Sequence, residues 1–238
     1  MTLTRDEQRI QEAAVEFAKA NRKAIARRRA DMTLYPPEEC PVAVFMAGSP
    51  GAGKTEASIE LIAKLGGQAL RIDPDELRDE LPDYNGSNSH LFQHAVSRLV
   101  ERMLDTAFDQ SQSFVLDGTL TNHEKAVANI ERALRKGRAV QVLYVYQEPA
   151  QAWAFVQARE RAEGRHIPAG TFIEQYFAAR EVVNRLKRHF GGAIRVDLLL
   201  KNTDGSNGAF TANVDRIDSH IPEKYDVSAL RAMLGLTP

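Results

Sequence analysis

Short apolar runs alternate with segments of helical spacing along most of the chain. Residues 42–46 (V-A-V-F-M) are apolar with β-branched valines, as a strand buried on both faces should be. A glycine-rich loop follows, then helical spacing over 56–65 that stops at Gly66-Gly67. The same pattern predicts strands at 68–72, 113–116, 140–146 and 194–200. Between them it predicts a short helical piece at 76–81 and helices at 90–108, 122–136, 149–162 and 171–190. Gly137 and Gly191-Gly192 close two of these, and residues 82–89 form a polar loop. Ahead of the first strand, 4–30 reads as a helix. Thr4 and Glu7 make a capping box, and Ile10, Ala14, Phe17 and Ile25 form an apolar stripe. Prolines 36, 37 and 41 separate this helix from the rest. Five strands joined by helical crossovers imply an α/β fold with a parallel sheet covered on both faces. In such sheets ligands bind beyond the carboxyl ends of the strands, so the residues just after each strand matter most.

At 238 residues and 43 % hydrophobic composition, one core with appendages is expected. The net charge of −1 argues against duplex nucleic acid or an anionic membrane as the main partner. The cluster Arg22, Lys23, Arg27, Arg28 and Arg29 reads as a solvated helix face. Cys40 is the single cysteine, which suits a reducing compartment. No apolar stretch reaches the length of a membrane span and the N-terminus is not signal-like, so a cytoplasmic protein is expected.

Gly48, Ser49, Pro50, Gly51, Ala52, Gly53, Lys54 and Thr55 match the phosphate-loop pattern G-x-x-x-x-G-K-[ST], and they stand between strand and helix as that loop requires. Its glycines let backbone N–H groups turn toward a triphosphate. Lys54 reaches the β- and γ-phosphates, and the Thr55 hydroxyl is placed for Mg²⁺. After the second strand come Asp73 and Asp75, two carboxylates able to divide the tasks of steadying the Mg²⁺ shell and accepting a hydroxyl proton. Asp75 also suits a helix N-cap. Asp117-Gly118-Thr119 ends the third strand, with the carboxylate again suited to Mg²⁺. Arg159 and Arg165 flank a glycine-containing loop that suits a lid, where guanidinium groups stabilise charge on a transferring phosphoryl group. His90 and His94 have helical spacing but lack the glutamate and third ligand of a zinc site. Trp153, Phe155 and Phe172 read as core residues.

The motifs G-S-P-G-A-G-K-T, R-I-D-P-D-E-L-R, F-V-L-D-G-T-L and A-R-E followed by E-G-R-H-I-P, together with the helix carrying Glu101, resemble the zeta toxin family of bacterial toxin–antitoxin systems over roughly 42–204. The resemblance implies a P-loop kinase-like three-layer fold with a five-stranded parallel sheet and an added N-terminal helix. It divides the chain into an extension (1–40), a kinase core (41–204) and a tail packing on the core (205–238). It implies an ATP-dependent, Mg²⁺-requiring kinase acting on a sugar hydroxyl of UDP-N-acetylglucosamine, with a separate antitoxin chain as partner. By the same resemblance Asp75 is the catalytic base and also touches substrate, with Glu101 and Thr119. Thr55, Asp73 and Asp117 serve the metal, and Lys54, Arg159 and Arg165 stabilise charge. Asp117 stands where many members have glutamate, and the loop between the two arginines is short. Two alternatives stay open: a same-fold kinase on another hydroxyl, and a regulatory NTPase.

Overall fold

A computed structural model describes residues 3–222 and 224–236. Residues 1–2, 223 and 237–238, which belong to the expected extension and tail, lie outside the described residues. The strands are β1 (Val42–Ala47), β2 (Leu70–Ile72), β3 (Phe114–Leu116), β4 (Ala139–Tyr146), β5 (Arg195–Lys201) and β6 (Asn207–Thr211). The helices are α1 (Arg5–Arg29), α2 (Lys54–Lys64), α3 (Pro74–Arg78), α4 (Gln93–Asp109), α5 (His123–Arg135), α6 (Pro149–Glu163), α7 (Ala169–Phe190) and α8 (Val227–Met233).

One sheet runs β2-β3-β1-β4-β5-β6. The five expected strands are all present and parallel. A sixth, β6, returns antiparallel against β5 from within the segment expected as a tail. Its alternation is masked by Asn207, Gly208 and Ala209, so the run has no apolar signal. The α/β, P-loop kinase-like architecture stands as expected.

Alternate residues of β1 face two cores. Ala43, Phe45 and Ala47 join the larger core with α4, α5 and α7, whereas Val44 and Met46 join a smaller one covered by α2. The register then decides what meets at the carboxyl ends. Ile72 of β2 and Phe45 of β1 both pair with Leu116 of β3, and the Asp117 amide donates to the Ile72 carbonyl at 2.9 Å. Asp73 and Asp117 therefore leave adjacent strands side by side.

α1 begins with the expected capping box. Its buried face is mostly alanine (Ala14, Ala18 and Ala26, with Ile25), which lets it lie close along α4. The expected helix at 90–108 differs at its start. Residues Ser89–Phe92 form a 3₁₀ turn before α4, because Phe92 is buried against Tyr84 (ring centroids 5.5 Å apart) and the Asn88 side chain bonds the preceding loop. Arg28 and Arg29, expected on a solvated face, instead reach across to Glu80, with Arg29 Nε donating at 2.7 Å.

Burial alone would raise the Glu80 carboxyl, but the hydrogen bonds from Arg28 and Arg29 outweigh it and hold the group below its ordinary value of 4.5. A depressed carboxyl stabilises the folded state above the unfolded pKa, and that stabilisation is lost as pH falls through the folded value. Glu80→Gln should therefore cost about 1 kcal/mol at pH 7 and less at pH 3, below the unfolded value. Urea unfolding of both proteins at the two pH values measures this. An equal loss at both would assign the effect to packing.

Candidate active site

The phosphate loop takes its shape from three glycines at positive φ: Gly48 (137°), Gly51 (71°) and Gly53 (82°). Space excludes any side chain at the first two. A Cβ on Gly48 would stand 2.3 Å from the Val145 carbonyl oxygen, and one on Gly51 only 2.1 Å from that of Ala152. α2 starts at Lys54, so its N-terminus points into the loop. Lys54 Nζ is folded back onto the Gly48 and Ser49 carbonyls at 3.1 and 2.6 Å. Desolvation lowers its pKa to about 8, against the opposing pull of Asp117 and Asp75. Its charge is held where a phosphate would compensate it. Thr55 follows on the first turn, and its carbonyl accepts from the Ser58 hydroxyl at 2.8 Å.

At the end of β2 the helix cap belongs to Asp73, not to Asp75 as the local sequence had allowed. Asp73 Oδ1 accepts the Asp75 amide at 2.8 Å, with Pro74 opening α3. Burial, reinforced by the neighbouring Asp117 and Asp75 charges, raises the Asp73 carboxyl to about 6. Asp75 behaves in the opposite way. Burial would raise it, but the Arg165 and Arg78 guanidinium groups beside it keep it below the ordinary aspartate value. Asp75 is therefore ionised at neutral pH, as a proton acceptor has to be.

Asp117 is buried at the end of β3. Its Oδ2 accepts from the Ser58 hydroxyl at 2.9 Å and from Arg71 Nη2 at 2.7 Å. Thr119 stitches this strand end to the phosphate loop, its carbonyl accepting from the Gly48 amide at 3.4 Å. Arg165 lies just beyond α6, after Gly164 (φ 74°) closes that helix, and reaches back to Asp75. Arg159 stays on α6 and pairs with Glu163 at 3.3 Å. The polar loop underlies this segment closely, because a Cβ on Gly86 would stand 2.5 Å from the Glu163 carbonyl oxygen.

The structure thus brings Lys54, Asp73, Asp75, Asp117 and Arg165 into one cluster. Glu101 does not join it by any direct contact. It is exposed on α4 and faces Lys125 of α5 at 3.7 Å. Sequence reasoning assigned no role to three residues that bond to this cluster: Arg71, Ser58 and Arg78. Arg71 was detectable from its strand alternation with Asp73, and Arg78 from its i,i+3 spacing to Asp75 on a helical turn. Two open clefts of about 420 and 310 Å³ flank α7, and none of the strand-end residues lines them.

The Thr55 hydroxyl, Asp73 and Asp117 make up a hard oxygen donor set, the kind magnesium takes. Among the described residues no group of three or more His, Cys, Asp or Glu side chains is placed to hold a metal ion. No described helix is long and apolar enough to cross a membrane.

The sequence profile of the family described as Zeta toxin matches residues 25–215. No curated protein sequence is significantly similar to the chain. Among solved structures, one from the PezAT chromosomal toxin–antitoxin system of Streptococcus pneumoniae is 16 % identical, with a TM-score of 0.66, covering 95 % of each chain. AvrRxo1-ORF1:AvrRxo1-ORF2 with sulphate ions gives 16 % identity and a TM-score of 0.60, over 89 % of this chain and 70 % of that one. The same pair with ATP gives 15 % and 0.56, over 95 % and 84 %. At these identities the likeness concerns the fold.

The loop geometry generates a paired expectation. Gly66 (φ 86°) has nothing within 4 Å of a built Cβ, so Gly66→Ala should cost only the left-handed backbone term, about 1 kcal/mol. Gly51→Ala meets the Ala152 carbonyl as well and should cost clearly more, while also weakening nucleotide binding. Urea unfolding with nucleotide titration tests both, and equal costs would refute the close packing of the loop on α6.

Proposed function

Because the chain belongs to the zeta toxin family, we propose that it is an ATP-dependent phosphotransferase. On this reading it moves the γ-phosphate to a sugar hydroxyl of UDP-N-acetylglucosamine in the cytoplasm, blocking cell-wall precursor synthesis until a separate antitoxin chain restrains it. One observation carries the reading: an ionised carboxylate, Asp75, stands with Arg165 and beside Lys54 at the mouth of a phosphate loop. A base, a phosphate cradle and a charge-stabilising arginine are the parts phosphoryl transfer needs.

Roles follow from position. Residues 48–55 hold the triphosphate through backbone N–H groups, with Lys54 on its outer phosphates. Magnesium, when bound, neutralises phosphate charge, and Thr55, Asp73 and Asp117 are the residues that would hold it or its waters. Asp75 takes the proton of the acceptor hydroxyl. In the structure Arg165 covers that carboxylate, so an arriving hydroxyl displaces the guanidinium, which is then free to turn toward the transferring phosphoryl group. Arg159, one helix turn before the lid, supplies the second charge. Thr119 offers a hydroxyl to the acceptor, and Glu101 binds the UDP-sugar.

One observation favours a second reading, a kinase of the same fold on another hydroxyl. Glu101 is engaged with Lys125 and is not directed at Asp75 by any described contact. The two readings separate by mass spectrometry of a nucleotide-sugar panel incubated with ATP and magnesium. The first expects a phosphorylated UDP-N-acetylglucosamine, and its absence beside another phosphorylated product would establish the second.

Two substitutions test the roles. Asp75→Asn should keep ATP affinity and lower turnover by about 10²–10⁴-fold, the range of a general base. Near-normal turnover would reduce Asp75 to an anchor for Arg78 and Arg165. Glu101→Ala should weaken UDP-sugar binding and leave ATP binding intact. Equal UDP-sugar affinity in the two proteins, by calorimetric titration, would remove Glu101 from the acceptor site.

A further inference from the structure

Arg71 is the residue about which the strand ends are organised. Alternation along β2 buries Leu70 and Ile72 in the larger core and turns Arg71 to the other face of the sheet. Asp73 follows at the same parity, and Arg71 pairs in register with Val115 of β3, two residues before Asp117. Ser58 of α2 comes down on this face. One guanidinium therefore serves the whole group. Its Nη2 donates to both Asp73 and Asp117, its Nε reaches Ser58 Oγ at 3.0 Å and Asp117 at 3.2 Å, and its Nη1 meets Glu76. Only 13 % of the Arg71 side chain is exposed, and 9 % and 3 % of the Asp73 and Asp117 side chains. Two carboxylates this deeply buried repel each other unless a cation stands between them.

We propose that Arg71 is a resident counter-cation that holds Asp73 and Asp117 together before nucleotide arrives and keeps a free divalent cation from settling between them. Magnesium then enters with the nucleotide, whose phosphates supply the ligands that the protein lacks. The inference rests on reading Asp73 and Asp117 as magnesium-shell groups. Two carboxylate oxygens bonded to one nitrogen are close enough to share a hydrated ion. A free ion would meet a fixed positive charge in that place, at a distance where repulsion is strong. A lysine ammonium in the same position would keep the repulsion but lose the fork that spans the two acids. Arg71 acts through the carboxylates, as a positioning residue.

The test is manganese binding to nucleotide-free protein, followed by the paramagnetic resonance of unbound Mn²⁺ at neutral pH. Unsubstituted protein should bind Mn²⁺ weakly. Arg71→Met, which keeps length and removes charge, should gain one site at least about tenfold tighter. Adding Asp117→Asn to it should abolish that site, and Arg71→Lys should bind as weakly as the unsubstituted protein. Should Arg71→Met fail to fold, Arg71→Gln, which retains an amide donor for the carboxylates, is expected to gain the same site. Mn²⁺ binding by the folded Met or Gln variant no tighter than by unsubstituted protein would overturn the proposal. So would tight nucleotide-free binding by the unsubstituted protein. No nucleotide or acceptor is present, so the outcome is independent of which hydroxyl is phosphorylated.

Discussion

Burying carboxylates close together is the most demanding thing this fold does, and much of the candidate site follows from how that cost is met. The parallel register delivers Asp73 and Asp117 from neighbouring strands, and the first turn of α3 adds Asp75. In a region of low dielectric three such charges would drive one another to protonate. Guanidinium groups prevent this unevenly. Asp75, flanked by Arg78 and Arg165, is depressed, while Asp73, which shares Arg71 with Asp117, remains raised to about 6. Two aspartates separated by a proline are thereby given different proton affinities by their neighbours, the condition for a division of labour between a base and a cation-shell group.

The same electrostatics joins distant parts of the chain. Asp75 and Arg165 are ninety positions apart, and their contact holds the segment between α6 and α7 against the strand ends. The fit of Gly86 beneath the Glu163 carbonyl lets that segment lie close. On the proposed reading this ion pair has a built-in release, because any ligand that competes for either partner loosens it.

Away from the strand ends, the supporting structure is conventional in its physics. A face of small residues lets α1 lie along α4, and Glu80 ties its end to α3 through Arg28 and Arg29. The sheet's smaller core rests on α2, which also carries Lys54 and Thr55. Packing on that face therefore bears directly on the geometry of the phosphate loop.

Much of this was legible in the linear chain. Strand-length apolar runs, glycine stops and the phosphate-loop spacing are local signals, and they named the parallel strands, the loop and the polar residues at the strand ends. Other features arise only when the chain closes on itself. The strand β6 carries no apolar alternation and exists because β5 offers it an edge. The capping role fell to Asp73 because the chain is already extended there, with Pro74 opening the helix. Glu101 shares a helix with core residues, yet helical phase alone did not settle its partner, Lys125. Arg71 is the clearest case. Its type and position were plain, but its meaning depends on Asp117, forty-six residues away, which only strand register places within reach. Local sequence determined which chemistry was present, and the sheet's long-range pairing decided which charges would have to share one place.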